Sequence, residues 1–366
     1  MKIGILTHYQ ADSHGALLQH YALTQHLRSM GHTVCTLTYE RDFSHASDED
    51  RKKYAVRLRS IPFYCRSYAS RQGVSCIWTM GKKHLLLRQF TKRHFTLTPF
   101  HLSDLDAVIV GSDEVWSLQL GYSQMMFGHG VHTGRLIAYA PSFGQTSFAD
   151  ITSRCLQHPI SKGLSAFSAV SVRDLHSQAV LEQLTGKTAP IVCDPAVLYP
   201  FDAEVTACPR HSGTPYIAVY AYSSNLNAPA QISAIRAYAR SVGAKIYAFG
   251  SYHGWCDKQI VCDPIALLGW LRDACAVVTD TFHGTIAACL VQTPMAVYVR
   301  PTNEAKLGHL LEQLHLTARQ VTEGRTLEDV FAAPLDFQSV HTLLQALRSD
   351  SGCWLCGALT QGGGTS

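Results

Sequence analysis

Long hydrophobic runs are missing from this chain. Nowhere do about 18 apolar residues follow one another, which excludes an ordinary membrane-spanning helix. Charge is scarce as well: Asp, Glu, Lys and Arg make up 16% of 366 residues against 46% hydrophobic, which suits a well-buried α/β protein. Familiar cofactor signatures are also lacking. No GxGxxG follows the first strand pattern, and there is no Walker loop, no HExxH and no GxSxG. The pair Cys353-Trp354-Leu355-Cys356 has no second CxxC to complete a zinc site and no thioredoxin-like βαβ unit to give it redox work. The 19 histidines are scattered, with no metal-ligand spacing. No metal and no cofactor are therefore expected.

One absence is local. Residues 51–95 contain no Asp or Glu but hold twelve basic residues: Arg51, Lys52, Lys53, Arg57, Arg59, Arg66, Arg71, Lys82, Lys83, Arg88, Lys92 and Arg93. The rest of the chain keeps nineteen basic residues against 27 acidic ones, so the overall +4 conceals a −8 remainder. Tyr54, Phe63, Tyr64, Tyr68, Trp78, Phe90 and Phe95 interleave with the basic residues. Three readings stay open. The segment is a solvated helical hairpin with its aromatics turned inward, a surface for an anionic bilayer, or, least favoured, a nucleic-acid contact.

What is present suits two domains. Met1-Lys2-Ile3-Gly4-Ile5-Leu6-Thr7 reads as a strand rather than a signal peptide. A cytoplasmic, reducing setting is the expectation, with most of the twelve cysteines free thiols. Strand and helix patterns then alternate. His14 to Met30 has helical spacing with Gly31 as its stop, Thr33 to Thr38 reads as a strand, and the basic insert occupies about 45–100. Short apolar runs follow at Ala107–Val110, Leu136–Tyr139 and Ala169–Val172. A second series begins after Asp194-Pro195, with strands at Tyr216, Lys245, Ala276 and Met295 separated by helices. The expected architecture is two Rossmann-like domains, 1–200 and 201–345, facing a central cleft as in GT-B glycosyltransferases, with 346–366 as a C-terminal tail ending in a disordered stretch, Gln361 to Ser366.

Four candidate sites fall where strands end, the edge at which open α/β sheets bind ligands. Asp12-Ser13-His14-Gly15-Ala16 opens the first helix, where Gly15 permits close backbone approach and His14 and free amides could meet a sugar hydroxyl or phosphate. Gly111-Ser112-Asp113-Glu114-Val115-Trp116 offers carboxylates, a hydroxyl and an aromatic face of the kind that stacks on sugars. Asp113 is the candidate base there, and a helix cap is its structural alternative. Arg173 ends a buried strand in Ser171-Val172-Arg173-Asp174. Its planar fork suits an anion, unless it is spent on Asp174 or Asp194. His283 follows the Ala276 strand in Thr279-Asp280-Thr281-Phe282-His283-Gly284, beside a helix N-terminus.

In order along the chain, Gly15-Ala16-Leu17-Leu18-Gln19-x-Tyr21-Ala22-Leu23, GSDEVW at 111–116, Ala138-Tyr139-Ala140-Pro141-Ser142-Phe143-Gly144, SVRD at 171–174, Asp194-Pro195 and TDTFHG at 279–284 resemble the polysaccharide pyruvyltransferase family over roughly residues 1–320. Three positions differ from the family pattern. His14 stands near the first glycine where asparagine is usual, Glu114 replaces a glutamine, and Thr281 occupies the place of an arginine two residues before the histidine.

The resemblance implies a GT-B-like fold and transfer of a pyruvyl ketal from phosphoenolpyruvate to a sugar diol, often lipid-linked. It puts His283 and Asp113 in catalysis, His283 supplying a proton or holding the donor's phosphate and Asp113 acting as base or sugar orienter. It puts Arg173, Gly284, Thr281 and Lys306 at the donor, Lys306 or Arg300 supplying the charge missing at Thr281, and His14, Gly15, Ser112 and Trp116 at the acceptor. The basic insert would then dock at the inner membrane face. A nucleotide-sugar glycosyltransferase and a non-catalytic glycan-binding relative are the alternatives.

Overall fold

A computed structural model describes residues 1–54, 73–100, 104–301 and 303–360. The first sheet is built from β1 (Lys2–Leu6), β2 (Thr33–Leu37), β3 (Leu97–Thr98), β4 (Ala107–Val110), β5 (Leu136–Ala138) and β6 (Ala169–Val170), in the order β3-β2-β1-β4-β5-β6. The second holds β7 (Tyr216–Tyr220), β8 (Lys245–Phe249), β9 (Lys258–Ile260), β10 (Ala276–Thr279) and β11 (Met295–Val297), in the order β11-β10-β7-β8-β9. All pairs are parallel. Central strands such as Ala107-Val108-Ile109-Val110 are buried along their whole length, since helices cover both faces. Each sheet is doubly wound and reverses its order once, between β1 and β4 in the first and between β7 and β10 in the second. Those are the crevices where such sheets take ligands. The two-domain Rossmann-like expectation therefore holds.

The halves share a core. Leu17, Leu18, Tyr21 and Ala22 of the His14–Ser29 helix belong to the same buried apolar cluster as Leu268, Ile286 and Ala287 of the second domain. That is why the first half of this helix is buried all round rather than along one stripe.

The expected tail at 346–366 is corrected. Phe337–Thr360 is one continuous helix that crosses the anticipated boundary. Its Val340 and Leu344 pack into the shared cluster, while Leu355 and Leu359 pack with Ile3, Leu23 and Leu27 of the first domain. Burial of those leucines, not local propensity, holds the segment. Cys353 and Cys356 lie exposed and free within it. Gln361 to Ser366 fall outside the described residues.

In the basic insert the structure describes the Asp48–Tyr54 and Val74–His94 helices. Arg57, Arg59, Arg66, Arg71, Phe63, Tyr64 and Tyr68 fall outside the described residues. Leu87 and Phe90 turn inward, whereas Trp78 is 64% exposed, with Lys82 Nζ 3.4 Å above its ring, and Val74 and Leu85 face solvent too. Lys83 is buried and donates to the Gly250 carbonyl at 2.6 Å, tying this helix to the second domain, and burial lowers its pKa to about 8. Among the described residues no helix is long and apolar enough to cross a membrane.

Candidate active site in the interdomain cleft

The loops leaving the two crevices meet, and their charged side chains converge on Asp194. This residue precedes Pro195–Leu198, caps that short helix through Oδ1 to the Ala196 amide at 2.9 Å, and is buried. Its Oδ2 accepts Arg173 Nη1 at 2.9 Å and the Ser112 hydroxyl at 3.2 Å, and it lies 3.6 Å from His283 Nε2. The last distance is too long for a hydrogen bond but short enough for the charges to couple. Arg173 Nη1 is also 3.6 Å from Asp113, and its guanidinium sits 4.9 Å from the centre of the Phe282 ring. Arg173 and His283 come from different domains and reach one place.

Electrostatics follow from this packing. Burial alone would raise the Asp194 pKa, but His283, Arg173 and the Ala196 amide outweigh it and hold the carboxyl well below its ordinary value. Asp113 shows the same balance: burial raises it, while Arg173, His283 and His8 pull it below the usual range. Arg173 keeps its charge because Asp194 and Asp113 offset its desolvation. Arg173 Nε and His283 Nε2 are buried and make no hydrogen bond among the described residues. Both groups thus retain unspent donor or acceptor capacity.

The loop bearing Asp113 is shaped by backbone. Gly111 has φ +111, and a Cβ there would lie 2.3 Å from the Tyr139 carbonyl oxygen, so only glycine fits. Asp113 itself sits at φ +74, a conformation few side chains adopt, and turns its carboxylate toward Arg173. The Asp113 carbonyl accepts the Ser142 amide at 2.9 Å, locking this loop to the Ala138–Gly144 segment.

The other expected contacts are redistributed. His14 is buried, its Nε2–H donates to the Cys262 carbonyl at 2.8 Å across the domain interface, and burial lowers its pKa to about 3. It bridges the domains and is not offered to an acceptor. Gly15 packs on the His283 ring, and a Cβ there would stand 2.4 Å from His283 Nδ1. Ser112 is spent on Asp194 and the Ala140 carbonyl.

Trp116 corrects the sugar-stacking expectation. It is wholly buried, stacked with Phe127, and its indole N–H donates to the Met126 carbonyl at 2.8 Å, so it offers no face to a ligand. Thr281 caps the Phe282–Leu290 helix by accepting the Gly284 amide at 3.0 Å. That amide is therefore used within the protein rather than free for the donor. Lys306 reaches across the cleft to Glu114 in an ion pair. Arg300 Nε lies 3.2 Å from Asp280, whose burial raises its pKa despite Arg300, Asn225 and the Tyr222 amide.

Two residues were missed from the sequence. Asp194 stands in the sequence only as a motif and a structural partner for Arg173, because nothing local shows that three loops close on it. His8 follows β1 by two residues, at the same sheet edge as Asp113 and Arg173. Its Nε2 lies 3.3 Å from the Glu114 carbonyl oxygen and its Nδ1 2.8 Å from the Tyr39 hydroxyl, and burial and Arg41 lower its pKa to about 4. Its place past a strand end is the sequence signal it shares with Arg173 and His283. Among the described residues no group of three or more His, Cys, Asp or Glu is placed to hold a metal ion.

The model of one family, polysaccharide pyruvyl transferase, matches residues 14–300, a span that contains the Asp194 cluster and both crevices. The chain belongs to the polysaccharide pyruvyl transferase family. It is thus placed among transferases that modify polysaccharides. No curated protein matches it.

Among solved structures, the putative UDP-N-acetylglucosamine 2-epimerase from Listeria monocytogenes is 12% identical with a TM-score of 0.52, covering 98% of this chain and 95% of that one. UDP-GlcNAc 2-epimerase from Methanocaldococcus jannaschii, in complex with UDP-GlcNAc and UDP, is 12% identical over 98% of this chain and 99% of its own, TM-score 0.48. The glycosyltransferase SnogD from Streptomyces nogalater is 14% identical over the same shares, TM-score 0.44. The likeness to the Listeria monocytogenes structure speaks for the GT-B-like fold of this family member and for nothing about its substrate.

Proposed function

We propose that this transferase moves the three-carbon unit of phosphoenolpyruvate onto a sugar diol, forming a pyruvate ketal and releasing inorganic phosphate. The observation that carries the reading is the convergence of Arg173 and His283 on Asp194 from the two domains, with Asp113 beside Arg173. The donor is a small trianion near neutral pH. Three cations flank the cleft, each beside a carboxylate: Arg173 with Asp194 and Asp113, Lys306 with Glu114, and Arg300 with Asp280. Such pairing is what an unliganded buried cation requires. Donor oxygens would take Lys306 from Glu114 and meet the unspent Arg173 Nε.

A proton from His283 to the methylene carbon makes the adjacent carbon oxocarbenium-like. One sugar hydroxyl adds there, losing its proton to Asp113, which passes it back to His283 before the next turnover. The C–O bond to phosphate breaks, and the second hydroxyl closes the ketal, its proton leaving with phosphate. Carbon, phosphorus and charge balance without a metal, nucleotide or redox cofactor.

Incubation with phosphoenolpyruvate at a hundredfold excess over its dissociation constant is expected to stabilise the protein by about 2.7 kcal/mol, read as a rise in Tm. Phosphate release should then appear when the right acceptor is added. A shift with nucleotide sugars instead would establish the glycosyltransferase reading. No shift with either would leave a glycan-binding relative.

Acceptors on lipid carriers would give the exposed Val74, Trp78 and Leu85 and the neighbouring cations a place to rest, on an anionic bilayer. Replacing Lys52, Lys53, Arg57 and Arg59 with glutamate should abolish sedimentation with phosphatidylglycerol vesicles. Unchanged sedimentation would dispose of membrane docking.

A further inference from the structure

The four residues expected to hold the acceptor are spent inside the protein, yet a cavity of about 700 Å3 opens beside the cluster and has no part in the scheme so far. It lies beyond the carboxyl ends of β1 and β2, and its walls include Tyr9, Tyr39, Glu40, Arg41, Asp42, Phe100 and Tyr122. Its size is that of an ordinary small-ligand site. Backbone pairing of Asp42 with Tyr122, at 2.7 and 2.8 Å, joins the two loops that frame it.

Two features specify its chemistry. The first is aromatic. Tyr9 and Tyr39 meet edge to face at 5.7 Å, and Tyr122 and Phe100 complete a wall of ring carbons edged by hydroxyls, suited to the mixed apolar and hydroxylated faces of a sugar. The second is Arg41. Its Nε and Nη2 donate to the Tyr39 hydroxyl at 3.3 and 2.8 Å, and Nη2 lies 3.1 Å from His8 Nδ1. Nη1 makes no hydrogen bond, and no carboxylate lies within ion-pair distance of the guanidinium, among the described residues. Arg173, Lys306 and Arg300 each form an ion pair, whereas Arg41 forms none among the described residues: Glu40 and Asp42 line the same cavity, but Asp42 accepts from the Ser44 amide and hydroxyl instead, and the Arg41 fork keeps the shape that receives a phosphate or carboxylate.

His8 joins the cavity to the reacting cluster. One ring nitrogen faces Tyr39 and Arg41 in the cavity wall, and the other faces the carbonyl of Glu114, the residue after Asp113. From this geometry we infer that the cavity is the acceptor site and that the acceptor is an anionic saccharide, its phosphate or carboxylate held by Arg41 and its sugar rings against Tyr9, Tyr39 and Tyr122. The inference rests on the ketal-transfer reading for the word acceptor, but its binding test does not depend on turnover.

The probes are disaccharides ending in galactose, glucose, mannose or an N-acetylhexosamine, each as the neutral sugar, as its 1-phosphate and with a terminal uronate, titrated calorimetrically into the full chain. At least one anionic form should bind wild type tenfold or more tighter than its neutral counterpart. Arg41→Gln should erase that gap, Arg41→Lys should restore part of it, and both should keep the Tm rise given by phosphoenolpyruvate. Preference for the 1-phosphate would identify a reducing-end phosphate as the anion, and preference for the uronate a carboxylate on the glycan. Equal binding of all three forms, or a preference that survives Arg41→Gln, overturns the assignment. If Arg41-dependent binding is found but phosphoenolpyruvate neither binds nor yields phosphate, the ketal-transfer reading falls and the saccharide site stands.

Discussion

Replacing His283 with alanine should lower phosphate release by about 10²–10⁴-fold, the range typical for loss of a positioned proton donor, while the Tm rise given by phosphoenolpyruvate survives. The physical basis is position. His283 is the second residue of the Phe282–Leu290 helix and brings a buried, unpartnered Nε2 to within 3.6 Å of Asp194, so the ring is placed by packing and spends no hydrogen bond there. If the Tm rise is lost together with turnover, the imidazole holds donor phosphate instead of delivering a proton. Unchanged turnover would remove His283 from the chemistry. Gly15→Ala gives a companion result without touching substrate. Its Cβ would stand 2.4 Å from His283 Nδ1, so the ring must move, and a misplacement of about 1 Å can cost about 10²-fold. Activity should fall in Gly15→Ala while far-ultraviolet circular dichroism stays native.

Arg173→Met should destabilise the protein by about 3–5 kcal/mol at pH 7, because it leaves Asp194 and Asp113 buried without their guanidinium partner. The cost carries a pH signature. In the wild type both carboxyls have folded-state pKa values depressed below the unfolded value of about 3.9. Their contribution to stability is therefore complete above that value and is lost as pH falls through the folded values. Without Arg173, burial dominates, the folded pKa of at least one carboxyl moves above 3.9, and the variant gains stability as that group protonates. Urea unfolding across pH 3–7 should show the gap between wild type and Arg173→Met widest at pH 7 and closing below about pH 4. A gap independent of pH would mean that Arg173 contributes packing against Phe282 rather than charge. Arg173→Lys, which keeps the charge and loses the planar fork, should recover much of the stability and little of the turnover.

The alternation of buried apolar runs with amphipathic helices determined by itself that this is a doubly wound α/β protein of two Rossmann-like domains, because a strand covered on both faces must be apolar throughout and the helices beside it cannot be. Strand ends are likewise legible, which is why Asp113, Arg173 and His283 could be picked out from residues that lie 60 and 110 positions apart. Tertiary structure decided how these side chains are spent. The same glycine-histidine pair that could cradle a sugar becomes an interdomain bridge at His14 and a platform for His283 at Gly15, since the second domain closes over the helix start. Trp116 reads equally well as a sugar platform or as core, and only the packing of Phe127 and Phe143 around it settles the choice. Residues 346–360 carry no local sign of the first-domain surface that Leu355 and Leu359 bury. Asp194 gathers its partners through contacts between segments distant in sequence, which a pattern of period 2 or 3.6 does not encode.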